Sequence, residues 1–104
     1  MKRPEITNRL SAIIHNISPN AKIILYGSEA RGDAQADSDI DVLILIDKDK
    51  VTFNDQKKIS YPLYDLELAT GVSISPIIFS RKQWENRPFN TPFYINVMNE
   101  GIEL

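Results

Sequence analysis

The chain has 104 residues, of which 42% are hydrophobic, and its formal net charge is -2 with a pI near 5.3. This length suits one domain over residues 1–104 that is too small for a separate substrate-recognition domain, so we expect a partner. Cysteine is absent and His15 is the only histidine, which excludes a disulfide framework and a zinc site of thiolates or clustered histidines. No basic block exceeds Lys57-Lys58, so a polynucleotide-binding surface is not indicated.

Membrane and secretion signals are missing from the sequence. No apolar run approaches the length of a membrane span, and the N-terminus lacks the apolar core of a signal peptide. We therefore expect a cytoplasmic protein that has no membrane partner.

An amphipathic helix is the first predicted element. Pro4 suits a first helical turn, and the Ser-Pro-Asn run at residues 18–20 ends the helix, because proline disfavours a helical conformation in the residue before it. The apolar residues between them recur at helical spacing: Ile6, Leu10, Ile13, Ile14 and Ile17. His15 lies beside this stripe, where a helix-flank role is favoured over that of a catalytic base.

A strand and a sharp turn follow the first helix. Residues 23–26 are an apolar run typical of a buried strand, and the run stops at Gly27-Ser28, a pair that opens a short helix. Gly27 lets a ligand approach the backbone, Ser28 offers a hydroxyl and an N–H group, and the helix directs its positive end towards an anion. The turn therefore suits phosphate. It carries neither the P-loop nor the dinucleotide-binding glycine pattern, which disfavours those two classes.

Two aspartates accompany the next predicted strand, Ile40–Ile46. Asp39 and Asp41 share one face of it, about 6–7 Å apart at Cα, because successive strand side chains point to opposite faces. Neighbouring carboxylates repel each other, so a divalent cation is expected between them. Mg²⁺ prefers oxygen ligands and keeps open positions for substrate phosphates.

These two runs together resemble a known signature. GSEARGDA at residues 27–34 and DSDIDV at residues 37–42 are similar to the G-S-x-A-R-G-x-A…D-S-D-x-D-h pattern of the minimal nucleotidyltransferases (MNT) in the DNA polymerase β-like superfamily. A solvated strand edge is the alternative for the aspartates, and their pairing with Gly-Ser disfavours it.

The resemblance implies roles for the matching residues. Gly27 and Ser28 would hold the terminal phosphates of a nucleoside triphosphate such as ATP, while Asp39 and Asp41 would act in catalysis and bind Mg²⁺, or Mn²⁺ in its place. Arg31 would either touch phosphate or hold the loop by pairing with Asp37 or Asp39, and the loop role is favoured.

A third helix and a third strand complete the predicted sheet. The helix covers residues 55–70 and ends at Gly71, with a kink or a fresh start near Pro62. Its inward residues are predicted to be Ile59, Leu63, Leu66 and Leu68. The strand covers residues 72–79, and Pro76 within it indicates an edge position or a bulge.

Ser73 on this third strand departs from the family. Relatives carry a third carboxylate where Ser73 aligns, and a neutral hydroxyl replaces neither a base nor a strong Mg²⁺ ligand. A carboxylate from Glu29, Asp33 or a partner chain is the substitute to look for.

Two helices are predicted at the C-terminal end of the chain. A short one begins after Ser80 and includes Trp84, which is expected to pack against the strand end rather than stack on a base. The last one spans Pro92–Glu100, between an N-cap at Thr91 and a C-cap at Gly101. Its inner face is predicted to carry Phe93, Val97 and Met98. Phe89 and Tyr94 are predicted to form a partner-facing patch.

The expected fold is α/β, of order αβαβαβαα, with a small mixed sheet of at least three strands covered by helices in a polymerase β-like palm. The resemblance implies an enzyme that moves a nucleoside monophosphate, AMP from ATP, to a hydroxyl acceptor. It further implies a HEPN-type toxin partner whose tyrosine is the acceptor, and thus an antitoxin role.

Two other functions stay open at this point. Ser73 favours a catalytically impaired nucleotide- or partner-binding module. Transfer to a small molecule such as an aminoglycoside would need a second domain, which a homo-oligomer would have to supply.

Overall fold

The computed structural model of the chain describes residues 3–87 and 90–104. Its helices are α1 Pro4–Ile17, α2 Gly27–Arg31, α3 Phe53–Thr70, α4 Arg81–Glu85 and α5 Pro92–Glu100. Its strands are β1 Lys22–Tyr26, β2 Ile40–Ile46, β3 Ile74–Ser80 and β4 Ile102–Glu103. In the part of the chain so described, no helix has the length and apolar character needed to cross a membrane.

The four strands form one mixed sheet in the order β3-β2-β1-β4. β1 runs antiparallel to both β2 and β4, and β3 runs parallel to β2. The predicted mixed sheet covered by helices is confirmed, and β3 is an edge strand, as Pro76 indicated. β4 was missed because its two residues carry no strand periodicity.

Helices cover both faces of this sheet. α1 and α3 pack on one face, and the buried residues there are Leu10, Ile14, Ala21, Ile23, Leu25, Ile40, Val42, Ile44, Ile46, Ile59, Leu63, Leu66, Ile74 and Ile78. α4 and α5 contribute to a smaller cluster with Ile24, Leu43 and Leu45 on the opposite face. β2 lies between the two clusters, which explains why its run is apolar at nearly every position.

α3 differs from its prediction in three respects. It begins at Phe53, where Thr52 and Asp55 form a capping box, and it continues as one helix through Pro62. Burial of apolar residues on both sides of Pro62 outweighs the missing N–H, so there is no fresh start at that position. Leu68 is 68% exposed, and its predicted inward position was wrong. The predicted end at Gly71 is confirmed, with φ at +72°.

The helices after β3 are capped as predicted. The Gln83 N–H donates to the Ser80 hydroxyl over 3.2 Å, and the Tyr94 N–H donates to the Thr91 hydroxyl over 3.2 Å. Gly101 follows α5 in an extended conformation, with φ at -66°, and leads directly into β4. The predicted inward position of Met98 was wrong, since 58% of this residue is exposed.

Aromatic side chains cluster beside α4. Trp84 stacks on Phe79 at 5.8 Å between centroids and contacts Phe93 edge-on at 6.0 Å, so its predicted packing role is confirmed. Tyr94 is half-buried against Trp84 at 5.1 Å between ring centroids, and its assignment to a partner-facing patch stays a prediction. Phe89, the other member of that predicted patch, lies outside the described residues.

Candidate active site

The site lies at one end of the two central strands of the sheet, where β1 ends and the antiparallel β2 begins. Tyr26, the last residue of β1, pairs with Asp41, and Gly27 follows directly. Ile40 is fully buried on the α1 and α3 side. Asp39 and Asp41, its neighbours, therefore face the α4 and α5 side together, as the alternation predicted.

Position 27 accepts only glycine, because of its backbone conformation and its closeness to Asp41. Its φ is +73°, and a Cβ built there would overlap the Asp41 Oδ2 atom. Both facts demand glycine at this position. The missing side chain brings the loop backbone against one of the two carboxylates.

Asp41 lies in an unfavourable electrostatic setting. Burial raises the pKa of its carboxyl, and the negative charges of Asp39 and Glu100 raise it further, while Arg31 lowers it. Tyr26 beside it has a pKa raised to about 12, by burial and by the charge of Asp41. The pair of aspartates is therefore short of positive charge, which is the setting that a bound cation relieves.

Arg31 is held by two carboxylates other than those predicted. Its Nη1 donates to Glu100 Oε2 over 3.0 Å and its Nε donates to Asp33 Oδ2 over 3.3 Å, so the expected pairing with Asp37 or Asp39 was wrong. The substitute partners lie on α5 and directly after α2, whereas Asp37 and Asp39 lie further along the loop. These contacts raise the pKa of Arg31.

Glu100 is the site residue that sequence reasoning missed. Besides Arg31, its Oε1 accepts a hydrogen bond from the Gly27 N–H over 3.0 Å. Arg31 first and the Gly27 N–H second lower the pKa of this carboxyl. A single carboxylate thus holds two groups of the predicted phosphate site. Glu100 is remote from the motif in sequence, and no local pattern indicates the contact.

Two serines of the β3 segment contact the chain around the aspartates, Ser73 through its backbone carbonyl and Ser75 through its hydroxyl. The Ile40 N–H donates to the Ser73 carbonyl over 2.9 Å, and Asp41 pairs with Ser75 in the strand register. The Ser75 hydroxyl donates to Asp39 Oδ2 over 3.4 Å. Sequence reasoning named Ser73 as the substituted carboxylate position, and Ser75 is a second neutral side chain at the same edge.

Glu29 does not supply the missing carboxylate. It is fully buried, and it accepts hydrogen bonds from the Arg3 backbone N–H at 2.8 Å and from the Arg3 Nε at 2.6 Å. This ion pair attaches α2 to the start of α1. Asp33, the other candidate from this chain, is engaged with Arg31.

Comparison with known proteins places the chain in a family. Residues 7–103 match the family model described as "Nucleotidyltransferase domain". The chain belongs to the nucleotidyltransferase domain family. The predicted membership of the nucleotidyltransferases and the predicted enzyme class, nucleotidyltransferase, are therefore confirmed.

Relatives of this nucleotidyltransferase include two proteins of Methanocaldococcus jannaschii. "Putative protein adenylyltransferase MJ0141" is 37% identical over 83 residues, which cover 80% of this chain and 77% of that protein. "Putative protein adenylyltransferase MJ0604" is 40% identical over 89 residues, which cover 80% of this chain and 76% of that protein.

Two solved structures share the fold. "Structure of putative minimal nucleotidyltransferase" has a TM-score of 0.65 at 24% identity and covers 100% of this chain and 97% of that one. "Crystal structure of the toxin-antitoxin with AMP-PNP" also has a TM-score of 0.65, at 20% identity, and covers 92% of this chain and 69% of that one. The predicted α/β fold, a small mixed sheet covered by helices, agrees with both structures.

The oxygen donors of the nucleotidyltransferase suit a metal that binds together with its substrate. Within residues 3–87 and 90–104, no three His, Cys, Asp or Glu side chains converge into a complete cation site. Asp39 and Asp41 provide two carboxylates beside an open loop. Mg²⁺ is commonly bound by one or two carboxylates plus substrate phosphates, so this donor set fits a Mg²⁺–nucleotide complex better than a free metal ion.

Proposed function

We propose that this nucleotidyltransferase transfers AMP from Mg²⁺–ATP to a hydroxyl group of a protein. The two relatives named as protein adenylyltransferases support the choice of AMP and of a protein acceptor. A structural neighbour described as a toxin–antitoxin with AMP-PNP supports a toxin as the acceptor and an antitoxin role for this chain. The motif resemblance adds the finer proposal of a HEPN-type toxin modified on tyrosine.

The contact between Gly27 and Asp41 carries this proposal. Because a Cβ at Gly27 would overlap Asp41 Oδ2, a phosphate bound to the loop backbone would lie beside the carboxylates. Asp39 and Asp41 would hold Mg²⁺, which would neutralise charge on the phosphates. The α-phosphorus would then lie beside Asp39 and Asp41, positioned for in-line attack by the acceptor hydroxyl.

The reaction exchanges the phosphoanhydride bond between the α- and β-phosphates of ATP for a phosphodiester bond to the acceptor. The acceptor oxygen bonds to the α-phosphorus and its proton passes to water, while the bond from the α-phosphorus to the α–β bridging oxygen breaks and pyrophosphate leaves with its electron pair. Ser28 orients the leaving phosphates through its hydroxyl and N–H groups, while Gly27, whose own N–H is bonded to Glu100, lets them approach the loop backbone. Arg31 exchanges its Glu100 contact for a phosphate oxygen, so its positive charge balances the leaving group.

Calorimetric titration of Mg²⁺–ATP tests the nucleotide site. The Asp39→Asn/Asp41→Asn variant is expected to lose at least about 100-fold in affinity, because metal-mediated binding contributes several kcal/mol. A matched control is Asp47→Asn/Asp49→Asn, which changes two exposed aspartates of the same spacing at the other end of β2. Equal losses in both variants, or Mg²⁺-independent binding by the wild type, contradict the assignment.

Label transfer tests the chemistry. ATP labelled at the α-phosphate is expected to label a HEPN-type partner, whereas ATP labelled at the γ-phosphate is not. Replacing the partner's acceptor tyrosine with phenylalanine should remove the label. Transfer of the γ-label instead would identify a kinase and overturn the proposal.

A second candidate is a module that binds nucleotide without transferring it. Two neutral side chains favour this alternative, Ser73 at the predicted third-carboxylate position and Ser75, whose hydroxyl donates to Asp39, because a hydroxyl does not accept a proton efficiently. Ser73→Asp is then expected to raise the transfer rate by at least about tenfold, as a correctly placed base contributes roughly 10²–10⁴-fold. Ser73→Asn, which changes the same position without adding a charge, is the matched control. Unchanged rates in Ser73→Asp, with efficient transfer by the wild type, reject this candidate.

A further inference from the structure

The outer face of α3 carries apolar side chains that the fold leaves in solvent. Phe53 is 75% exposed, Tyr61 63%, Tyr64 59% and Leu68 68%. Together with Lys57, whose Nζ lies 4.8 Å from the centre of the Phe53 ring, they form what we call the α3 stripe. A helix that needed only to cover the sheet would carry polar residues at these positions.

The α3 stripe has the spacing of a helix-packing seam. Its members follow one another at intervals of four, four, three and four residues, which at about 100° per residue keeps them within an arc of about 80°. They extend over about 22 Å of the helix. Lys57, Tyr61, Tyr64 and Leu68 alternate by four and three, which is the a/d pattern of helices that pack side by side.

The exposed area is sufficient for a small dimer interface. Aromatic side chains present roughly 150–250 Å² each, so the exposed parts of these four apolar residues amount to about 500 Å² per copy. Two copies would remove about 1,000 Å² from water. This reaches the lower limit of about 1,000 Å² for a specific interface, before flanking residues are included.

Charges on and beside the α3 stripe are distributed unequally along α3. Lys57 and Lys58 lie in its N-terminal half, and the exposed Asp65 lies in its C-terminal half. Asp55 does not offset the lysines on this face, because it is 7% exposed and bound to Lys48. The two halves of the helix thus carry opposite charge at the edge of one apolar stripe.

We propose that a second copy of this chain docks on the α3 stripe, with the two α3 helices antiparallel about a two-fold axis near Tyr61 and Tyr64. Antiparallel packing places the lysine half of each helix opposite the Asp65 half of the other, whereas parallel packing would place lysines opposite lysines. A two-fold interface is self-complementary in this way. Asp41 faces the opposite side of the sheet, so the dimer leaves the nucleotide site open.

Sedimentation equilibrium tests the interface and does not depend on enzymatic activity. The wild type is expected to dimerise, and Tyr61→Glu/Tyr64→Glu is expected to raise the dimer dissociation constant at least about 100-fold, as central aromatic anchors dominate interfaces. Both replaced side chains are exposed, so the fold should survive, which circular dichroism checks. The matched control, Ile95→Glu/Met98→Glu, alters exposed apolar residues of α5 and should leave the dimer intact.

A charge reversal tests the orientation. Lys57→Glu/Lys58→Glu and Asp65→Lys should each weaken the dimer about tenfold, and the combined variant should return to within a few-fold of the wild type. A wild type that stays monomeric throughout the concentration range overturns the proposal. A dimer disrupted by the α5 variant but not by the tyrosine variant also overturns it, as does a combined reversal that does not recover.

Discussion

Two aspartates near opposite ends of β2 occupy opposite electrostatic settings. Asp55 is 7% exposed, and contacts with Lys48 and Thr52 lower the pKa of its carboxyl to about 2. Burial raises the pKa of the Asp41 carboxyl, and the charge of Asp39 raises it further. The first carboxylate is satisfied within the fold, and the second is not. We therefore expect the unsatisfied aspartate, Asp41, to be the one that binds a ligand.

The largest expected effect is the loss of affinity for Mg²⁺–ATP when Gly27, beside Asp41, is replaced by alanine. Gly27→Ala places a Cβ against Asp41 and is expected to lower the affinity for Mg²⁺–ATP at least about tenfold, with about 1–2 kcal/mol lost from the free energy of unfolding. Calorimetry and urea denaturation measure the two effects.

Gly71→Ala is the control for that substitution. The φ of Gly71 is +72°, almost that of Gly27, but a Cβ there meets nothing within 4 Å. It should share the loss of stability and retain the affinity. Equal losses of affinity in both variants would mean that backbone strain, and not the contact with Asp41, governs the site.

Neutralising Asp55 and neutralising Asp41 should change the free energy of unfolding in opposite directions. Asp55→Asn is expected to lower the free energy of unfolding by about 1–2 kcal/mol, because it removes the charged partner of Lys48 and weakens the capping box. Asp41→Asn without Mg²⁺ should raise it by less, because that charge is disfavoured in the folded state. Urea denaturation at neutral pH measures both changes. Destabilisation by Asp41→Asn would mean that the charge of Asp41 is not disfavoured in the folded state.

Acid should remove the stability that Asp55 contributes. Its folded pKa of about 2 lies below the ordinary 3.8, so the contribution is present above pH 4 and is lost as pH falls towards 2. Denaturation of the wild type and of Asp55→Asn at several pH values below 5 should therefore converge. A constant difference between them down to pH 2 would show that the carboxylate charge of Asp55 is unimportant.

The smallest expected effect is a change in affinity for Mg²⁺–ATP when the contact between Glu100 of α5 and Arg31 of α2 is weakened. Glu100→Gln weakens the competitor for Arg31, so affinity for Mg²⁺–ATP should rise about two- to fivefold. Calorimetry measures the change, with Glu103→Gln as the control on β4. Weaker binding by Glu100→Gln would mean that Glu100 positions the loop for the nucleotide instead of competing with it.

Local features of this protein were predictable from its sequence. The strand before Gly27, the shared face of Asp39 and Asp41, and the helix end at Gly71 each depend on neighbours a few residues away. Backbone sterics and side-chain alternation act over that range, so the sequence pattern contains the information.

Contacts between distant parts of the chain were not predictable in this way. The engagement of Glu100 with Gly27, the inward position of Glu29 and the pairing of β4 depend on how elements pack. Leu68 and Met98 continued apolar patterns and yet remain exposed, because periodicity marks an apolar stripe without stating which surface covers it.

The hydrogen bond from Gly27 to Glu100 also bears on the order of events during synthesis. The predicted phosphate loop begins at Gly27, whereas its carboxylate partner Glu100 and the β4 strand that pairs with β1 emerge from the ribosome more than 70 residues later. Contacts so distant in sequence form late in folding. A nascent chain synthesised only as far as α4 would therefore lack the contacts from Glu100 and β4 to this loop and to β1, although every residue of the nucleotidyltransferase signature would be present.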